Sequence, residues 1–381
     1  MQYASLGELG VMVLDCEHRT PSPAPAGHPY VAIPDIQQGR VVLETTRRIT
    51  DEDLLDWTRR TKPRAGDILV TRRGRVGDTA PIPTDDCAIG QNLVILRSDG
   101  TVIDQSFLRW ATRGPAWQSE VDRLINVGAV FSSLNVGDIG KMRIPVLPLP
   151  EQQAIAEVLG ALDDKIAANR ALVATADALA RAFTNECLAD STTTQLCDLA
   201  TITMGSSPKG TSYNESGEGV VLYQGMKDFG IRSPLPRVWT TEPGRLAHAG
   251  DILMSVRAPV GTLNRATEEC CIGRGLASLT AHQPNALFHL LLGQQTLFAP
   301  FNGDGTIFGS INKRQLHALP VRIPSAGLTE LEAKTAPLEA QVASALSESA
   351  TLAALRDTLL PALMDGTLRV KDAEKTVSEA L

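Results

Sequence analysis

PEQQAIAEVLGALDDKIAANRALVATADALARAFTNECL, residues 150–188, decides how the rest of the chain is read. After Pro150 it holds no proline and a single glycine, Gly160, so one uninterrupted helix is expected. Pro150 suits the first helical position, and Glu151 complements the helix dipole in the first turn. Apolar residues recur in steps of four and three: Ile155, Leu159, Leu162, Ile166, Val173, Ala176, Ala180, Phe183 and Cys187. Asn169 is the one polar place in that seam. So narrow a stripe packs on one partner helix in coiled-coil fashion, and a buried asparagine sets its register at some cost in stability. At 1.5 Å per residue the helix would span roughly 55–60 Å, so it reads as a spacer.

On either side there is chain enough for domains with cores of their own. The 381 residues are 43% hydrophobic and 21% charged, the balance of an ordinary globular protein. No apolar run approaches a membrane span, and the N-terminus lacks the order of a signal peptide, so a cytoplasmic protein is expected. Cys16, Cys87, Cys187, Cys197, Cys270 and Cys271 form no C-x-x-C pair and read as reduced, mostly buried thiols. The net charge of −7 is unevenly spread: −1 over 1–149, −3 over 150–189, +1 over 190–327 and −4 over 328–381. The helical stretches carry the negative excess, so an acidic total leaves room for DNA contact by a local basic face.

The chain is an internal duplication. AGDILVTRRGRVG (65–77) aligns with AGDILMSVRAPVG (249–261), Cys87-Ala88-Ile89-Gly90 with Cys270-Cys271-Ile272-Gly273, and Leu6 and Leu9 with Leu196 and Leu199. Phe131-x-Ser133-x-Asn135 aligns with Phe308-x-Ser310-x-Asn312. Strands are expected at Leu6–Leu14, Tyr30–Ile33, Ile68–Thr71 and Leu93–Leu96. Helices are expected after the Thr50 N-cap as far as about Arg60, and from about Phe107 to Val121. Asn135 and Asn312 read as N-caps of short helices. A second apolar series, Leu338, Val342, Ala345, Leu352, Leu355, Leu359 and Leu363, marks a second long helix, with Pro337 a kink or the start of its main body and Gly366 its end. The expected fold class is α+β: two duplicated mixed α/β domains, 1–149 and 190–327, separated by long helices at 150–189 and 328–366. The helices would form an antiparallel coiled coil with pseudo-two-fold symmetry, followed by a tail at 367–381.

Three motifs give this chain a resemblance to the DNA-specificity subunits of type I restriction–modification systems. They are Pro148-x-Pro150-Glu151-Gln152-x-x-Ile155-Ala156-x-x-Leu159-x-x-Leu162-Asp163-x-Lys165-Ile166, the twice-used Gly-Asp-Ile-Leu…Arg…Val-Gly, and Leu355-Arg356-x-x-Leu359-Leu360-x-x-Leu363-x-x-Gly366-x-Leu368-x-Val370. The resemblance implies two target-recognition domains on double-stranded DNA, each reading half of a bipartite site, with the helices as a ruler. It also implies two methyltransferase subunits that methylate adenine N6 with S-adenosylmethionine, and endonuclease subunits driven by ATP and magnesium. This chain would then be non-catalytic, with no cofactor or metal of its own. The second linker, Pro324 to Glu330, lacks the Pro-Glu-Gln run and leaves the start of the second helix open.

A self-contained DNA-modifying enzyme is the alternative that the missing Asn/Asp-Pro-Pro-aromatic motif opposes. Gly205 to Thr211 imitates a phosphate loop but lacks the lysine after the second glycine. Cys16-x-His18 is too little for zinc. A coiled-coil scaffold that binds protein is a further alternative, which leaves the arginine turns unexplained. Phosphate contact calls for Lys and Arg; base reading calls for Arg on guanine and Asn or Gln on adenine. The DNA-binding candidates are Arg72, Arg73 and Arg75, with Arg47, Arg48, Lys62 and Arg64 as neighbours. In the second domain they are Arg257, Lys209, Tyr223, Gln224, Lys227, Arg274, Lys313 and Arg314, with Tyr223-Gln224-Gly225 set against Ile33-Pro34-Asp35.

Overall fold

The computed structural model describes residues 2–127, 132–303 and 309–381; Phe131 and Phe308 of the repeated pattern lie outside the described residues. The chain divides into two compact units, Met1–Ala167 with Ser349–Leu381, and Ala168–Glu348.

In the first unit a four-stranded antiparallel sheet runs in the order Val11–Asp15, Leu93–Ser98, Ile68–Thr71, Thr79–Pro81. Its central strands read as continuous apolar runs because both faces are covered. Ile68 and Val70 face one core while Leu69 faces the other, and Val94 and Leu96 alternate with Leu93 and Ile95 in the same way. A smaller sheet joins Arg47–Ile49, His28–Val31 and Ala88–Ile89, the last pair parallel. The second unit repeats both. Ala200–Met204, Leu276–Ala281, Ile252–Ser255 and Leu263–Arg265 take the same order, and Val220–Tyr223 pairs in parallel with Cys270–Ile272. Each domain is closed by a ribbon of its first and last strands, Gln2–Ser5 with Arg143–Val146 and Ser191–Gln195 with Pro320–Pro324.

The long helices are Leu149–Cys187 and Thr329–Met364, and each contributes a segment to both units. In the first unit Ile155, Leu159, Leu162 and Ile166 share a core with Leu352, Leu359 and Leu363. In the second, Val173 and Ala176 pack with Val342 and Ala345, and Leu338 flanks them. Residue numbers rise on one helix as they fall on the other, so within each unit the segments run antiparallel. Asn169 is buried, and its Nδ2 donates to Glu348 Oε2 at 2.7 Å, which removes the penalty of an unsatisfied amide in the seam.

Several sequence expectations are corrected. The run Leu6–Leu14 is two strands, Gln2–Ser5 and Val11–Asp15, because a turn ending at Gly10 (φ +73°) folds Leu6 and Leu9 into the core. The strand expected at Tyr30–Ile33 lies two residues earlier, at His28–Val31, with Ile33 opening a 3-10 turn. The segment around Phe107–Val121 is two helices, Gln105–Ala111 and Pro115–Leu124, since Pro115 disfavours helical backbone before it. The helix capped by Thr50 ends at Trp57. The second long helix starts at Thr329 and runs through Pro337. The stretch 367–381 holds the helix Val370–Ala380, whose buried Ala373 and Val377 join the first unit's core. Asn312 forms its capping box with Gln315, whereas Asn135 makes no side-chain cap and donates to Asp138 instead.

Candidate nucleic-acid interface

The repeated Gly-Asp-Ile-Leu…Arg…Val-Gly segment builds the same turn twice. Gly66 (φ +87°) and Gly250 (φ +92°) enter the strand, and the Asp67 and Asp251 carboxylates accept the backbone N–H of Arg64 and His248. At the exit, Gly77 N–H donates to Thr71 C=O and Gly261 N–H to Ser255 C=O. Trp117 Nε1 and Gln295 Nε2 then donate to the Gly77 and Gly261 carbonyls. Between these points Arg73 bridges Ser133, and Arg257 bridges Ser310, so the two repeated motifs meet. Arg72 C=O accepts from Leu134 N–H and Val256 C=O from Ile311 N–H. The result is one exposed arginine without a partner among the described residues in each unit's turn, on a backbone pinned from both sides. Among the described residues neither the Arg73 nor the Arg257 guanidinium has a hydrogen bond or ion pair.

The glycines at the exit are forced. A Cβ on Gly261 would lie 2.3 Å from the Phe298 ring, at a φ of +91°. Gly261→Ala therefore costs the second unit about 2–3 kcal/mol, from overpacking and left-handed backbone together, read as a lower thermal midpoint.

Charged networks tie each domain to a long helix. In the first unit the buried Asp163 carboxylate pairs with Arg109, with Arg356 and, at 3.8 Å, with Arg113. Arg109 and Arg113 also cover the Trp110 ring. Gln152 is buried and accepts from Asp104 N–H while donating to the Val102 and Leu147 carbonyls. In the second unit Glu339 meets His289 at 2.9 Å, Arg232 at 3.1 Å and Arg265 at 3.4 Å, and Arg232 also pairs with Asp177. Glu332 accepts from Ala286 N–H and Asn285, the place filled by Gln152 in the first unit. This is how the second linker manages without the Pro-Glu-Gln run.

Residues 23–175 match the family model of the type I restriction modification DNA specificity domain. The putative type I restriction enzyme MjaX specificity subunit of Methanocaldococcus jannaschii is 29% identical over 310 residues, 74% of this chain and 72% of that protein. The chain is thus similar to the type I specificity subunits, and residues 23–175 match their DNA specificity domain. These likenesses support a DNA-recognition subunit of a restriction–modification complex, and the specificity-subunit family is non-catalytic. The S subunit of a type I system from M. genitalium has the same fold, with a TM-score of 0.63 at 15% identity, aligned over 95% of this chain and 96% of its own.

In this chain the expected DNA residues fall into distinct settings. Arg73, Arg257, Lys227, Lys313 and Arg314 are exposed, and no side-chain partner is found among the described residues. Arg72 is half-buried and donates from Nε to Leu134 C=O. Arg75 pairs with Asp78 and donates to the Ile33 and Ile36 carbonyls, so both are fasteners of the turn. Arg48 donates to Leu43 C=O, Arg47 to Pro21 C=O and Arg274 to Ser207 Oγ, while Lys209 lies 3.7 Å from Glu242. Lys62 and Arg64 are not neighbours of Arg73: they precede Gly66, and the strand Ile68–Thr71 lies between. Gln224 is half-buried, with its backbone N–H held by Asp228 Oδ2 at 2.7 Å. Tyr223 is 2% exposed inside the second unit's core, so its side chain is not presented at the surface. Its strand pairing equates it with Val31, not Ile33, because Gly273 N–H donates to Tyr223 C=O as Gly90 N–H does to Val31 C=O. Sequence reasoning missed the charged networks, although Asp163 and Arg356 stand within two of the three motifs.

The other chemistries considered have structural explanations. Cys16, Cys87, Cys270 and Cys271 are buried; burial pushes the Cys16 thiol up to about 11, and the Cys87 and Cys270 thiols up to about 12. Asp15 does come near Cys16 and His18, but its carboxylate is engaged by His18 Nε2 at 2.9 Å and by Arg60 at 3.5 Å. Gly205 and Ser206 spend their N–H groups on the Leu276 and Ile272 carbonyls, so neither is offered to a phosphate. Among the described residues no helix is long and apolar enough to cross a membrane.

Proposed function

We propose that this subunit binds a bipartite duplex site, one half through each duplicated domain, with Arg73 and Arg257 as equivalent phosphate contacts. The observation that carries this reading is the same pinned turn occurring twice, each with an exposed arginine free of partners among the described residues. A fixed backbone that offers a free guanidinium meets a phosphate without a backbone ordering cost. Lys227 in the second domain supplements it, and Lys313 and Arg314 line a shallow cavity of about 530 Å³ with His317. The target-recognition domains are assigned to 1–149 and 190–327, with the helices as a spacer. Two methyltransferase subunits with S-adenosylmethionine, and endonuclease subunits using ATP and magnesium, complete a cytoplasmic assembly.

The test is a map of N6-methyladenine in cells that co-express the chain with its methyltransferase partner, compared with cells lacking the chain. A bipartite motif with a fixed gap, present only with the chain, is the expected result. Exchange of residues 190–327 should change one half only. An assembled complex that adds no methylation would refute the reading.

A further inference from the structure

Beside each arginine turn lies a second turn. Leu93 N–H donates to Gly90 C=O, closing Gly90-Gln91-Asn92-Leu93; Leu276 N–H donates to Gly273 C=O, closing Gly273-Arg274-Gly275-Leu276. Both are fastened alike. Gly90 and Gly273 donate to the strand carbonyls of Val31 and Tyr223. The carbonyls of Asn92 and Gly275 accept the N–H of Arg72 and Val256, the residues just before Arg73 and Arg257. The two central positions are thus structurally equivalent, and each adjoins its unit's phosphate-binding candidate through one backbone hydrogen bond.

What differs is the side chain at the tip. The first unit presents exposed Gln91 and half-buried Asn92, and among the described residues their amides bond to no other side chain or backbone group. They line a cavity of about 330 Å³ with Thr20, Tyr30, Asp35 and Arg47. The second unit presents exposed Arg274, steadied from Nε by Ser207 Oγ at 3.1 Å. Its neighbour must be glycine, because a Cβ on Gly275 would lie 2.3 Å from the Gln224 carbonyl. An identical framework with unlike polar tips is what two domains reading different half-sites require. An amide pairs with the N6 and N7 edge of adenine; a guanidinium pairs with the O6 and N7 edge of guanine.

We propose that this turn is a base-reading site in both domains: Gln91 and Asn92 read adenine in one half-site, and Arg274 reads guanine in the other. The inference rests on the bipartite DNA reading above. It is tested by repeating the methylation map with Gln91→Ala/Asn92→Ala and, separately, with Arg274→Ala. Each variant should relax one position of one half-site, an adenine and a guanine respectively, with discrimination there falling on the order of ten-fold or more while the other half stays unchanged. Unaltered motifs in both variants would overturn the proposal. So would a uniform loss over all sites from a complex that still assembles, since that marks a phosphate contact. Binding of the unmutated complex to duplexes carrying 7-deazaguanine or 7-deazaadenine in the two half-sites gives a readout that does not depend on variant folding. Weakened binding is expected for each analogue in its own half-site, and equal affinity for substituted and natural duplexes would overturn it. If the unmutated complex yields no bipartite motif, it is the parent reading that fails.

Discussion

Replacing Asp163 with alanine should lower the unfolding free energy of the first unit by about 3–5 kcal/mol, the usual cost of leaving buried charge uncompensated. Asp163 is 10% exposed and is the shared partner of Arg109, Arg113 and Arg356, which are 21%, 16% and 12% exposed. Without the carboxylate, three guanidinium groups crowd one poorly solvated site. Urea unfolding followed by tryptophan emission reads this directly, because Trp57, Trp110 and Trp117 all belong to this unit and Trp110 lies under two of the arginines. An unchanged midpoint would mean the network is solvated and contributes little.

The second unit offers the same experiment with a pH dependence. Burial alone would raise the Glu339 carboxyl, but the His289 hydrogen bond and the Arg232 and Arg265 charges outweigh it and hold the carboxyl below its ordinary value. A depressed folded value means the contribution is fully present above about pH 4.5, where the unfolded carboxylate is ionised, and is lost as pH falls through the folded value. Glu339→Gln should be less stable at neutral pH, and the gap to the unmutated chain should close on acidification over that window. A gap that stays constant with pH would assign the loss to packing alone.

Arg73→Glu combined with Arg257→Glu should weaken duplex binding by ten-fold or more. It should also reduce the slope of log affinity against log salt by about two, near 0.9 for each phosphate that is no longer neutralised. Both side chains are exposed and unpaired among the described residues, so circular dichroism and assembly with the methyltransferase should not change. Arg72 and Arg75 behave differently. Their guanidinium groups hold the turn through the Leu134, Ile33 and Ile36 carbonyls, so Arg75→Ala should loosen the turn before it touches affinity. Anisotropy titrations at three salt concentrations separate the cases: a salt slope unchanged in the double variant would remove Arg73 and Arg257 from the interface.

The residues determined by sequence alone are those whose role follows from local periodicity or repetition. The seam from Ile155 to Ala180 could be read because a helix places every third or fourth side chain on one face, whatever lies opposite. The duplication could be read because the Gly-Asp-Ile-Leu turn needs its glycines for left-handed backbone and its aspartate for the strand entrance, so both copies retain them. Tertiary structure alone decided which arginines are fasteners and which are free. Arg72, Arg73 and Arg75 are alike in sequence, yet Arg72 and Arg75 are held by carbonyls up to 62 positions away while the Arg73 guanidinium has no partner among the described residues. The Asp163 and Glu339 networks were hidden for the same reason: their members come from three or four separate segments, and no spacing rule connects Asp163 to Arg356. The equivalence of Gln91 with Arg274 also belongs to the fold. The side chains share no chemistry, and only the hydrogen bonds that close and fasten the two turns make them the same place.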